Sequence, residues 1–104
     1  MPVFPGARLV PQMSWEDEAV RNQVFTTDAA AGQVVRFYRR WAGAPPRELR
    51  LSSRTEYEFR RRLDDGARAI VHVRPVPDAL RDGPLDGAVS IVINVRKPTG
   101  PQRP

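Results

Sequence analysis

The chain has 104 residues, of which 40% are hydrophobic, enough for one small domain with a modest core and too few for two domains. Its 17 basic and 12 acidic residues give a formal net charge of +5, which admits an acidic partner such as nucleic acid without requiring one. Cysteine is absent, which excludes disulfides and thiolate metal sites, and no stretch approaches the roughly 20 apolar residues of a membrane span.

The basic residues are almost all arginine, with Lys97 as the only lysine. Such a skew arises from a GC-rich genome as readily as from selection for phosphate binding. Because the arginines are scattered along the chain, we prefer the interpretation that they form a solvated charged surface.

The first 14 residues contain three prolines and few periodic apolar positions, so an extended arm is predicted over 1–14. A single domain is expected over 15–97 and a flexible tail over 98–104. No basic segment followed by a long apolar run is present, so no export signal is predicted. The localisation is left open, since a protein that had lost a signal peptide would look the same.

The most informative stretch predicts a strand over 19–27 that leads into an amphipathic helix over about 28–42. Asp28 suits the N-cap of that helix, and Gly43 suits a left-handed C-terminal cap. The apolar face of the helix is predicted from residues at helical spacing, Val34, Phe37, Tyr38 and Trp41. This stripe needs a sheet to cover it.

Beyond the helix, alternating apolar residues predict strands at 48–53, 67–74 and 88–96. The stretch 55–63 is ambiguous: its alternation predicts a strand, whereas Phe59 and Leu63 fall at a helical spacing and 53–56 match a capping box. We prefer the strand, because a helix here would have too narrow an apolar stripe to pack well. Residues 75–87 contain three prolines and two glycines and predict a long loop.

Together these elements predict an α+β fold, an antiparallel sheet of four to five strands with one amphipathic helix packed on one face. The uncovered face of the sheet would then carry four arginines, Arg60, Arg62, Arg68 and Arg74. That face is expected to be either a solvated surface or a binding surface.

Four short motifs occur in order along the chain: FPGA at 4–7, FTTD at 25–28, VVRFY at 34–38 and GAVSIVI at 87–93. In this order they resemble a broad set of small bacterial domains of unknown function, which are often exported. The resemblance implies that Asp28 caps the helix and that Phe37 and Tyr38 lie in the core, and it implies no catalytic residue. The chain departs from that pattern in its heavier arginine load and in the lack of an export signal.

Residues that could carry catalysis are few. His72 is the only histidine, too few for a histidine-based metal site or a well-supported Ser-His-Asp arrangement. Glu56 and Glu58 would share a strand face, where cross-strand arginines would pair with them. No glycine spacing matches a phosphate-binding loop. We therefore predict no enzymatic activity, no metal and no cofactor.

The function predicted from the sequence is that of a non-catalytic protein-interaction or assembly module. A proline-containing arm and tail can add extended segments to a partner, and a small sheet exposes edges that must be paired. The alternative is a basic nucleic-acid-binding domain that uses the arginine-bearing sheet face. The candidate interaction surface comprises seven arginines, Arg39, Arg40, Arg60, Arg61, Arg62, Arg68 and Arg74.

Overall fold

One helix packs on one face of an antiparallel sheet in the computed structural model, which describes residues 2–52, 54–77, 83 and 86–98. The predicted α+β class is confirmed. In chain order the elements are β1 (Arg8–Leu9), β2 (Trp15–Glu16), β3 (Val20–Thr27), α1 (Ala31–Ala42), β4 (Arg47–Arg50), β5 (Thr55–Arg62), β6 (Arg68–Pro75) and β7 (Val89–Arg96). Their spatial order is β1-β3-β7-β6-β5-β4, and β2 lies beside β1 along the same edge of β3.

The prediction of four to five strands is wrong, because the first 16 residues add two short strands, β1 and β2, to give seven in the described chain. β1 and β2 are separated by a 3-10 turn that begins at Pro11. Between them Val10 is buried, and its amide donates to the carbonyl of Val24 at 2.7 Å. The prolines do not prevent this pairing because they lie outside the two short strands, where their missing N–H costs no ladder hydrogen bond.

The arm is also fixed to the helix, through Tyr38. The hydroxyl of Tyr38 accepts a hydrogen bond from the amide of Phe4 at 3.1 Å and donates to the carbonyl of Pro2 at 3.3 Å. Burial raises the pKa of Tyr38 to about 12. The Phe4 ring meets Phe37 edge to face at 5.5 Å between centroids. The arm therefore covers part of the core.

The helix begins later than the sequence predicts, and Asp28 is not its N-cap. Thr27 still belongs to β3, so the three residues after it are needed to turn the chain from strand to helix. The N-cap is Ala30, whose amide donates to Oε1 of Gln33 at 3.2 Å. Asp28 is exposed and lies 3.6 Å from Arg8. The C-terminal prediction is confirmed, since Gly43 has a φ of 72° and caps the helix.

The ambiguous stretch 55–63 forms strand β5, which pairs with both β4 and β6, so the preferred strand prediction is confirmed. The strand predicted at 48–53 is shorter and ends at Arg50. The loop predicted over 75–87 and the tail predicted over 98–104 lie largely outside the described residues.

The core lies between α1 and the sheet. Val34 and Tyr38 of the helix are fully buried, whereas Phe37 and Trp41 are only partly buried at its margin. The sheet contributes buried side chains from its central strands, among them Phe25, Phe59, Val71, Val73, Ile91 and Ile93. In β7 the predicted alternation is confirmed, with odd-numbered residues Val89 to Val95 on the helix side.

Gly87 allows the chain to pass very close to the end of β3. Its amide donates to Oγ1 of Thr26 at 2.8 Å. A Cβ at this position would lie 2.5 Å from that oxygen and 2.5 Å from the carbonyl oxygen of Thr27. Both contacts are too short for a real Cβ, and one of them is to backbone, so no side chain fits without a shift of the strand.

We expect Gly87→Ala to destabilise the domain by about 1–3 kcal/mol, the usual penalty for inserting atoms into a packed site. The matched control is Gly32→Ala on the helix, where an added Cβ meets nothing within 4 Å. Because alanine favours helix over glycine, the control should be neutral or stabilising. Urea unfolding of both variants measures the difference, and equal stabilities would contradict the close approach.

Candidate functional site

The candidate site lies on the face of the sheet opposite α1. One end of this face is buried at Val24, Thr26 and Ser90, and we call the rest of it the open face. Directly paired residues of an antiparallel sheet lie on the same side, so the strand register gives the rows of this face. The row nearest the β5–β6 turn contains Val20, Arg96, Arg68 and Arg62. The next row contains Trp15, Asn22, Asn94, Ile70 and Arg60.

Three of these residues, Arg62, Arg68 and Arg96, form what we call the arginine row. Arg68 lies directly opposite Arg62 on one neighbouring strand and directly opposite Arg96 on the other. Among the described residues none of the three has an ion-pair partner. Like charges directly opposite each other destabilise a sheet, so the free domain holds this positive charge at a cost.

The glutamates of the open face are engaged elsewhere. Glu58 accepts a hydrogen bond from Nε of Arg60 at 2.7 Å and another from Nε2 of His72 at 2.9 Å. Glu56 lies 3.0 Å from Arg54 and 3.6 Å from Arg74. These pairs offset part of the positive charge near β4, whereas the arginine row has no such pair among the described residues.

The environment of Glu58 favours its charged form. The hydrogen bond from Arg60 is the largest cause of a lowered pKa of Glu58, and the bond from His72 adds to it, while burial of the carboxylate opposes both. The other ring nitrogen of His72, Nδ1, accepts a hydrogen bond from Arg74 at 3.2 Å. His72 therefore bridges an arginine and a glutamate and has neither ring nitrogen free.

The open face is shallow and concave. A depression of about 510 Å³ surrounds the arginine row and also reaches Arg60, Ala69 and Ile70. A second depression of about 340 Å³ lies over the middle of the face, where it is bordered by Asn22, Asn94 and His72. The two share residues, so they form one continuous surface.

The structure divides the seven predicted interaction residues among three places. Arg60, Arg62, Arg68 and Arg74 lie on the open face, as expected from the alternation of β5 and β6. Arg61 lies on the helix side, where its guanidinium sits 5.7 Å from the ring centroid of Trp41 and Nη1 donates to the carbonyl of that residue. Arg39 and Arg40 are exposed on α1, which packs on the other side of the sheet from the arginine row. The seven arginines therefore do not form one surface.

Two residues of the open face were absent from the predicted set. Arg96 completes the arginine row, and the alternation of β7 already places it on the side away from the apolar residues. Trp15 joins the next row through its pairing with Asn22. Nothing in its local sequence indicates a strand, because β2 has only two residues and pairing with β3 is what defines it.

The part of the chain that is described was also searched for a metal site and for a membrane-spanning helix. No group of three or more His, Cys, Asp or Glu side chains there could hold a metal ion. No helix among the described residues has the length and apolar character to cross a membrane.

Comparison with known proteins adds no relative. No family model matches the chain, and no curated protein or solved structure matches it. The geometry of the open face therefore carries the functional argument.

We expect Glu58→Gln to lower the stability of the domain at pH 7 by about 1.5–3 kcal/mol, the range for a hydrogen bond to a charged group. Because the folded pKa of Glu58 lies below its ordinary value of 4.5, this contribution is present above that value and is lost as the pH falls through the lowered pKa. The difference from the unmodified protein should therefore shrink in urea unfolding at pH 3.

The control for this prediction is Glu48→Gln on the outer strand β4. Glu48 is half-exposed and lies 3.7 Å from the exposed Arg50, a pair expected to contribute little. A Glu58→Gln effect that matched the control, or that stayed constant with pH, would contradict the role given to the Glu58 hydrogen bonds.

Proposed function

We propose that this domain is a non-catalytic binding module and that its open face binds nucleic acid through the phosphate groups. The observation that carries the proposal is the arginine row, three arginines in directly adjacent cross-strand positions without a carboxylate partner among the described residues. A polyanion would supply the missing negative charge. The net charge of +5 favours the same class of partner.

The residue type supports phosphate as the group that is recognised. A guanidinium presents a planar set of donors that bonds phosphate oxygens in pairs, which an ammonium group does not do. The three arginines also lie on paired strands, so their backbone positions are fixed relative to one another. A surface that served solubility alone would interleave both signs of charge, as the Glu56 and Glu58 part of the same face does.

The non-catalytic part of the proposal rests on the state of the acid–base groups. His72 has both ring nitrogens in hydrogen bonds, and Glu58 accepts from two donors. A general base needs a free lone pair within reach of the substrate proton. These contacts favour a structural role for His72 and Glu58.

A second candidate function, assembly with another protein, is favoured by apolar residues near the N-terminus. Among the described residues, four of the five exposed large hydrophobic side chains lie within residues 3–15, namely Val3, Leu9, Met13 and Trp15. Leu9 belongs to β1 and Trp15 to β2, and both strands lie at an edge of the sheet. An edge strand with apolar neighbours is a template for pairing with another chain.

We expect Arg68→Gln to weaken binding of a 12-residue deoxythymidine oligonucleotide and to reduce the salt dependence of that binding by about one unit of log–log slope. The matched control is Arg40→Gln on the outer surface of the helix, which removes the same charge away from the open face. Fluorescence anisotropy over a range of salt concentrations measures both. Thermal unfolding of Arg68→Gln should show no loss of stability, since a repulsive pair is relieved.

Equal weakening by the two substitutions would show that net charge alone attracts the oligonucleotide, and it would contradict a site on the open face. Absence of binding at low salt would end the nucleic-acid proposal.

If assembly is the function instead, the isolated domain should self-associate or bind a partner through the arm. Sedimentation velocity over a range of protein concentrations is expected to show a shift that Leu9→Gln abolishes, because Leu9 is 47% exposed on β1. Arg68→Gln serves as the control and should leave that shift unchanged. A strict monomer that binds oligonucleotide would leave only the first proposal.

A further inference from the structure

The row next to the arginine row ends in an exposed indole. Trp15 pairs with Asn22 at the edge of β3, which places its side chain on the open face, and the residue is 52% exposed. Trp15 is also absent from the core cluster and its margin. Much of the Trp15 side chain, which is of the largest type in the protein, therefore remains in contact with solvent in the described chain.

Beside the indole lie two amides with unused hydrogen-bonding capacity. Nδ2 of Asn94 donates to Oδ1 of Asn22 at 3.2 Å, which fixes the two side chains against each other. This leaves the amide donors of Asn22 and the amide oxygen of Asn94 without a protein partner in the described residues. A donor and an acceptor side by side on a half-buried surface match the edge of a nucleobase, which also presents both.

The arginine row is within reach of the same ligand. Trp15 lies two strands away from Arg96 and one row further along the sheet. With strands about 5 Å apart and about 7 Å between alternate residues, the two Cα atoms are separated by roughly 12 Å. A single nucleic-acid strand can span this distance with a base on Trp15 and its phosphates on the arginines.

We propose that Trp15 stacks on an unpaired base and that Asn22 and Asn94 contact the edge of the same or the next base, so that the open face selects single-stranded over double-stranded nucleic acid. This inference rests on the proposed function, because it assumes that the arginine row binds the phosphates. Bases in a duplex are stacked on each other and do not expose their faces to a tryptophan, whereas bases in a single strand do.

The charge around Trp15 is compatible with this ligand. Its neighbour Glu16 faces the other side of the sheet by strand alternation and is paired with Lys97 at 3.0 Å and with Arg21 at 3.5 Å. The pKa of Glu16 is lowered, chiefly by the hydrogen bond from Lys97. The carboxylate nearest the indole in sequence is therefore already neutralised.

The test compares Trp15→Leu with the matched control Trp15→Phe, which keeps an aromatic face of smaller size. Each variant is titrated with a 12-residue deoxythymidine oligonucleotide, with the duplex of the same length, and with inorganic polyphosphate, which carries phosphates and no bases. Trp15→Leu should lower oligonucleotide affinity at least fivefold, the order expected for one stacked base, whereas Trp15→Phe should stay within about twofold. Polyphosphate affinity should not change in either variant.

Four other results would overturn the inference. Unchanged oligonucleotide affinity in Trp15→Leu, while Arg68→Gln still weakens binding, would remove the stacking role and leave the phosphate-binding proposal intact. A duplex bound as tightly as the single strand would remove the selectivity. A parallel loss of polyphosphate affinity in Trp15→Leu would show a structural effect of the substitution. If the unmodified domain bound neither the oligonucleotide nor polyphosphate, both the inference and the proposed function would fail.

Discussion

The contact between one face of α1 and the central strands is the constraint on which the rest of the molecule depends. A helix of 12 residues is about 18 Å long, and it packs chiefly on β5 and β6 through Val34 and Tyr38. It cannot cover a sheet six strands wide. The N-terminal arm covers the side of the core near β3 with Phe4 and Ala7. The opposite face is buried only at one end, around Val24, Thr26 and Ser90, and the rest of it has no second layer from the described chain.

The uncovered part of this face has then to be stable in water without a second layer. Near β4, ion pairs with Glu56 and Glu58 engage Arg54, Arg60 and Arg74. Beside the β5–β6 turn, strands β5, β6 and β7 place three arginines next to one another without a described partner. Asp65 in that turn accepts a hydrogen bond from the amide of Ala67. One part of this face thus has ion pairs, whereas the arginine row has none among the described residues.

The parts of this structure that the sequence predicted are those with a local cause. The stripe from Val34 to Trp41, the glycine stop at Gly43 and the alternation of β7 each follow from residue spacing within one element. The start of the helix was missed because Asp28 lies in the segment that turns the chain out of β3 before the helix begins. Strands β1 and β2 were missed because only their pairing with β3 defines them. Half of the candidate site was predictable, because alternation within a strand gives the side on which Arg62 and Arg68 lie. Only the register between strands shows that Arg96 and Trp15 lie beside them.

The two parts of the open face belong to strands of very different length. Trp15 lies on the two-residue edge strand β2, whereas the arginine row belongs to β5, β6 and β7, which pair along most of their length. Local opening of a short edge segment costs far less than global unfolding, so amide hydrogens of β1 and β2 are expected to exchange with solvent much faster than those of β6 and β7. The two parts of the open face are thus expected to open independently, and a ligand that contacts both would slow hydrogen exchange in β2 most.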